Sequence, residues 1–325
     1  MLLSGGADGL LEAARRAEGA PAPGPALADA VRRALDPLDP DAWTLRTRGV
    51  PLRRPLVMGI VNVTPDSFSD GGLWPSTDAA AAHGRELAAA GADLLDVGGE
   101  STRPGSRPVP PDEERRRVLP VVAALAPLGV PISVDTTRAA LAREALAAGA
   151  EVVNDVSALR FDPGMAAAVA ETGAGLVLMH MRGTPATMQD DPRYVDVAGE
   201  VLEFLGEALA VAVAAGVDRD RVAVDPGIGF GKRSWHNLEL LYRVRELRVL
   251  GAPVLVGPSR KGFLDPGARF APAERVPETL AACCLAALGG ARILRVHDVG
   301  DCRRALEIVH RVGEFAAGEA PAPTV

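Results

Sequence analysis

The chain has 325 residues, a hydrophobic share of 48%, an aromatic share of only 4% and a formal net charge of −7. Ala, Val and Leu must therefore fill a large core, and the acidic balance argues against a nucleic-acid or membrane-surface protein. Three cysteines without a CxxC pair suit a reducing cytoplasm, and no apolar run is long enough to span a membrane.

Residues 1–53 read as an N-terminal extension. Helical patterns at Leu10–Glu18 and Ala26–Leu35 flank an Ala/Pro/Gly-rich linker at Gly19–Pro25. Asp8, Glu12 and Glu18 disfavour a transit peptide. From residue 54 to 316 a strand-then-helix unit recurs, and 317–325 form a tail. The predicted strands are Leu56–Val63, Leu94–Gly98, Ile132–Asp135, Val152–Val156, Leu176–His180, Val222–Asp225, Val254–Val256 and Ile293–Val296. Between them fall helical patterns near Asp78–Ala90, Pro111–Ala126, Arg138–Ala148, Pro163–Thr172, Val197–Ala215, His236–Leu250, Ala273–Leu288 and Asp301–Phe315. Eight such units predict an α/β protein with a closed (β/α)8 TIM barrel, its short apolar strands buried on both faces. Gly91, Gly149, Gly173, Gly216, Gly251 and Gly289 sit where a helix-ending glycine belongs.

Polar residues recur at the strand ends. The first strand runs into Asn62 and a loop carrying Thr64, Asp66, Ser67, Ser69 and Asp70 before Gly71 and Gly72. The second leads into Gly98 to Gly105 and the third ends at Asp135. The fourth carries Asn154 and Asp155, and the fifth gives His180, Met181 and Arg182. The sixth leads through Asp225 to Lys232, the seventh into Ser259, Arg260 and Lys261, and the eighth gives Arg295, His297 and Asp298. In a TIM barrel these ends form the mouth where ligands bind. Buried Asp135, Asp225, Asn154 and Lys261 need hydrogen-bonding partners, which a polar ligand would supply.

Residue type narrows the ligand. Asp225 or Asp135 can accept two N–H bonds from a 2-amino-pyrimidinone edge. Lys261 can donate to a ring carbonyl or nitrogen. Arg295 with His297, near Asn62 across the closed ring, can hold a phosphate or diphosphate. Asn62 and its loop oxygens can bring Mg²⁺, which takes few protein ligands beside substrate phosphates.

The segments GIVNVTPDSFSDGG, DVGGESTRPG, SVDTT, NDVSA, LMHMRGTPATMQ, DPGIGFGK, GPSRKGF and RVHDV occur in this order across residues 59–299. Together they closely resemble the dihydropteroate synthases, the folate-pathway family that sulfonamides inhibit. The resemblance implies a (β/α)8 barrel that joins 6-hydroxymethyl-7,8-dihydropterin diphosphate to 4-aminobenzoate, with Mg²⁺, giving 7,8-dihydropteroate and diphosphate. It makes Asn62 the ligand of Mg²⁺ and the diphosphate. It puts Asp135, Asn154, Asp225 and Lys261 in the pterin pocket and Arg295 and His297 at the diphosphate, while Met181, by its place beside His180, reads as pocket lining. Phe68 falls in the family's first mobile loop and Thr102, Arg103 and Pro104 in the second. Ser259 then contacts the aminobenzoate carboxylate, and Phe230 packs on its ring. Asn62, Lys261, Arg295 and His297 are the expected catalytic set. A cytoplasmic homodimer built through the last helices is expected as well.

Other readings compete. A pterin-binding methyltransferase domain shares the barrel and the Asp/Asn pocket but has no need of ESTRPG, SRK or RVHDV. A non-catalytic paralogue would have eroded loops. Lys232 reads equally as a surface residue closing a loop or as part of the site. His180 reads as a satisfied core histidine and His236 as a cap or surface residue. Asp96 and Glu100 read as orienting the second loop, and Asp298 as holding a neighbouring His or Arg.

Overall fold

The computed structural model describes residues 40–63, 77–101, 106 and 108–316. The predicted helices before Leu35, the loop from Thr64 to Gly72 with Phe68, the residues Thr102, Arg103 and Pro104, and the tail lie outside the described residues.

The chain enters through two short antiparallel strands, β1 (Ala42–Thr44) and β2 (Gly49–Pro51). Eight parallel strands follow: β3 (Leu56–Asn62), β4 (Leu94–Gly98), β5 (Ile132–Asp135), β6 (Val152–Asp155), β7 (Gly175–Met179), β8 (Val222–Asp225), β9 (Leu255–Val256) and β10 (Ile293–Val296). Their order runs from β8 down to β3 and on through β10 to β9. A parallel bridge from Val224 to Val254 joins the two ends and closes the ring.

Helices α1 (Thr77–Ala89), α2 (Pro111–Leu125), α3 (Ala139–Ala147), α4 (Met165–Thr172), α5 (Val197–Ala214), α6 (Ser234–Tyr242), α7 (Val276–Leu288) and α8 (Val299–Ala316) return the chain between the strands or follow the last one. In α2, Pro111 opens the helix, where a missing N–H costs nothing, and Asp112, Glu113 and Glu114 complement the positive end of its dipole. Among the described residues no helix is long and apolar enough to cross a membrane.

Two apolar regions follow from the strands' period of two. Outward residues such as Val57, Val61, Leu95, Val97, Val134 and Val153 pack under the helices. Inward residues Leu56, Met58, Leu94, Val152, Val177, Ala223, Leu255 and Ile293 fill the lower barrel. Trp43, Leu45 and Leu52 join this inner cluster, so the hairpin stoppers the barrel's N-terminal end. Trp43 is fully buried and its indole N–H donates to the Arg221 carbonyl at 2.9 Å. Residues 40–53, read from sequence as part of the extension, are thus packed onto the barrel.

Two details differ from the sequence reading. The predicted helix His236–Leu250 divides into α6 and a 3₁₀ segment, Val244–Leu250. At the end of α7 the left-handed residue is Gly290, with φ of 97°, and not Gly289. Gly289 has helical φ, and a Cβ there would lie 2.3 Å from Val244 Cγ1, so close packing is what requires it.

Candidate active site

One step further up each strand, the inward positions change from apolar to polar. Two residues beyond Leu94 is Asp96, and two beyond Val152 is Asn154. Ala223 is followed in the same way by Asp225, and Ile293 by Arg295. Register and contact carry the layer round the ring: Asp135 pairs with Asn154, Met179 with Asp225, and Arg295 reaches across to Asp96 and Asp135. Asp135, Asn154, Asp225 and Arg295, predicted from strand ends, therefore face one basin whose floor is the apolar plug.

Inside this basin Arg295 Nε donates to Asp96 Oδ2 at 2.6 Å and Nη2 donates to Asp135 Oδ2 at 3.0 Å. Asn154 Nδ2 donates to the same Asp96 oxygen at 3.2 Å. Among the described residues, buried Asp96 Oδ1 has no hydrogen-bond partner. Such an atom is costly to leave dry and marks a place for a donor from water or ligand. Asp96, read from sequence as orienting the second loop, is instead a pocket residue. Its parity with Leu94 was the available signal.

Burial, then the carboxylate of Asp96, pushes Asp135 up to about 7, although Arg295 opposes this. Burial also raises Asp225, against the pull of Lys261, the Gly227 N–H and Lys232. It brings Lys261 down to about 8, while Asp225 favours its charge. Burial works against Arg295 too, but Asp96 and Asp135 hold it above its usual value. Opposed shifts of this kind gather where a ligand completes the charge pattern.

The turn after β8 builds one wall. Lys261 Nζ donates to the Ile228 carbonyl and lies 4.6 Å from the centre of the Phe230 ring. Phe230 packs on Val156, Met179, Met181 and Met188, an apolar slab beside the polar layer. Lys232 is not on the surface: it is 3% exposed and bonds inside the turn. His180 is the satisfied core histidine expected, with Nδ1 at 2.8 Å from Lys232 Nζ. His236 caps α6 by accepting from the Arg233 N–H at 3.0 Å, and it is buried rather than exposed.

Next round the ring, after β9 and β10, Ser259 Oγ and His297 Nδ1 are 3.0 Å apart, and the His297 N–H donates to Ser259 Oγ at 3.2 Å. The next residue, Arg260, has φ of 59°. Its guanidinium grips Asp298 through Nε at 3.0 Å and Nη2 at 2.5 Å, so Asp298 holds an arginine from another strand's loop. Asn62 ends β3, the neighbour of β10, and shares the inward parity of Leu56 and Met58, which puts it on the strand next to the one carrying Arg295. Glu100 accepts from Arg138 at 3.0 Å, and Arg138 also reaches the Val109 carbonyl at 2.8 Å. Those contacts tether both flanks of the segment that contains Thr102, Arg103 and Pro104.

Comparison with known proteins fits this arrangement. The pterin binding enzyme family matches residues 58–297. The dihydropteroate synthase of Escherichia coli strain K12 is 46% identical over 259 residues, covering 79% of this chain and 92% of its own. This chain belongs to the dihydropteroate synthases among the pterin binding enzymes. The Yersinia pestis dihydropteroate synthase, solved with a sulfonamide drug, superposes with a TM-score of 0.80 at 44% identity, over 84% of this chain and 99% of its own. The Xanthomonas albilineans dihydropteroate synthase in complex with 7,8-dihydropteroate gives a TM-score of 0.76 at 45% identity, over 86% of this chain and 100% of its own. A dihydropteroate synthase has to seat a flat heterocycle, a diphosphate and an aromatic amine together. The basin offers a polar layer above the apolar plug, a cationic sector and an aromatic-lined wall.

Proposed function

We propose that this enzyme condenses 6-hydroxymethyl-7,8-dihydropterin diphosphate with 4-aminobenzoate to give 7,8-dihydropteroate and diphosphate. The carrying observation is the single inward layer of Asp96, Asp135, Asn154, Asp225 and Arg295 above a closed apolar plug. In this reading Asp225 and Asn154 take the donor edge of the pterin and Lys261 donates to its ring. Asp135 supplies negative charge beside the ring. Arg295 has five N–H donors, enough to keep its carboxylate partners while reaching a phosphate oxygen. His297, steadied by Ser259, adds a second donor at the diphosphate. Phe230 offers a face to the aminobenzoate ring, and Ser259 an O–H to its carboxylate. Thr102, Arg103 and Pro104 belong to the loop proposed to cover both substrates.

Asn62 fits Mg²⁺, because one amide oxygen at a strand tip suits an ion that fills its shell with phosphate and water. Bound there, the ion would neutralise charge on the departing diphosphate.

The amine of 4-aminobenzoate is neutral near pH 7, so attack needs no strong general base. The demanding event is cleavage of the pterin methylene C–O bond. Arg295 and His297 stabilise the leaving oxygens, and Asp135 with Asp225 favours positive charge developing on the pterin. The reaction is therefore read as dissociative. A large secondary isotope effect at the methylene carbon is expected, and an effect near unity would contradict it. The activity is tested by mass spectrometry of the product formed from both substrates. Absence of 7,8-dihydropteroate with both present would refute it. A sulfonamide is expected to compete with 4-aminobenzoate.

The free thiols of Cys283, Cys284 and Cys302 support a reducing, cytoplasmic setting. A homodimer is proposed through α7 and α8, where Leu285, Leu288, Ile308, Val312 and Phe315 are each more than half exposed.

A further inference from the structure

The scheme above makes no use of Lys232, yet burying a lysine this completely is costly unless its donors are matched. Its Nζ lies 2.9 Å from the Gly227 carbonyl, 3.0 Å from the Phe230 carbonyl and 2.8 Å from His180 Nδ1. The His180 carbonyl lies 3.4 Å away as well, so each N–H of the amine meets an acceptor, although burial, opposed by Asp225, holds the amine well below its usual pKa. Burial and the nearby Lys232 charge push His180 down to about 2, so its neutral ring can accept at Nδ1.

The turn that Lys232 fills has an unusual construction. Gly227, Gly229 and Gly231 have φ of 66°, 86° and 65°, alternating with Ile228 and Phe230. A Cβ on Gly227 would lie 1.9 Å from the His180 carbonyl oxygen, so no other residue fits against the loop after β7. Every carbonyl from 227 to 231 accepts from a side chain. Those of Gly227 and Phe230 take Lys232, that of Ile228 takes Lys261, that of Gly229 takes Gln189 and that of Gly231 takes Tyr194. The Gly227 N–H meanwhile donates to Asp225 Oδ1 at 2.7 Å. One buried amine thus braces both ends of a short glycine-rich turn. That turn orients Asp225 at its start, seats Lys261 on its second carbonyl and presents Phe230.

We infer that Lys232 is a positioning residue for both substrates, setting Asp225 and Lys261 for the pterin and Phe230 for the aromatic amine without touching either. This rests on the dihydropteroate synthase reading. Glycine would otherwise leave the turn many conformations, and ordering them on binding would weaken affinity. Removing the brace therefore raises KM for both substrates, whereas loss of folded enzyme alone lowers kcat at unchanged KM.

The test compares wild type with Lys232→Met and Lys232→Gln by steady-state kinetics on each substrate, with thermal unfolding alongside. Lys232→Met, similar in shape but without donors, is expected to fold and to raise KM for dihydropterin diphosphate and for 4-aminobenzoate tenfold or more. Lys232→Gln, which keeps two N–H donors, is expected to recover part of both losses. KM values within twofold of wild type in the methionine variant overturn the inference. So does a fall in kcat alone, and so does failure of both variants to fold, which would make Lys232 a packing element only. A wild-type protein that forms no dihydropteroate counts against the functional reading instead. Calorimetric binding of dihydropterin diphosphate to wild type and the methionine variant then judges Lys232 by the same tenfold criterion.

Discussion

Asp135 shows at the level of one residue how this site trades stability for readiness. Its folded carboxyl, held up to about 7 by burial and Asp96, keeps a proton that an unfolded aspartate loses near 3.9. Between those values the native state binds more protons than the unfolded chain, so rising pH removes stability, and the cost is complete above about 7. Asp135→Asn keeps an acceptor for Arg295 but carries no charge. It is expected to raise Tm at pH 8, with the gain shrinking towards pH 5, and to weaken dihydropterin diphosphate binding by tenfold or more. A Tm gain that grows on acidification would contradict the assignment. The charged layer itself was legible in the sequence, because Asp135, Asn154, Asp225 and Arg295 each stand last or next to last in an apolar strand. Lys232 was not, since a lysine after three alternating glycines looks the same in a surface loop as in a braced one. Only the turn's carbonyls, folded back on its Nζ, distinguish them.

Elements tell a similar story. The strands of the barrel announced themselves as apolar runs spaced by helical stretches, and the closed ring follows from their number. The hairpin of β1 and β2 gave no such signal. Its strands have three residues each, too few to show a period, and their partners lie in the far half of the barrel. Yet Trp43 fills the barrel's lower end. Trp43→Ala is expected to cost about 3–5 kcal/mol of unfolding free energy, the scale for emptying a large aromatic site. Denaturant unfolding measures it, and kcat should stay near wild type because the polar layer is at the other end. A loss under about 1 kcal/mol would mean the hairpin is not a stopper.

For the whole molecule, the apolar residues left on the last two helices call for a partner surface. Leu285 and Leu288 on α7, with Ile308, Val312 and Phe315 on α8, form a candidate face for a second copy. Leu288→Asp combined with Phe315→Asp is expected to convert a dimer to a monomer in light scattering while the fold persists. A wild-type monomer at micromolar concentration would remove that proposal. The central claim, that one basin activates a pterin diphosphate and delivers its carbon to an aromatic amine, is tested most directly by diphosphate release with each substrate omitted in turn. Release is expected in step with dihydropteroate only when both substrates are present. Release at the same rate without 4-aminobenzoate, or none with both, would contradict it.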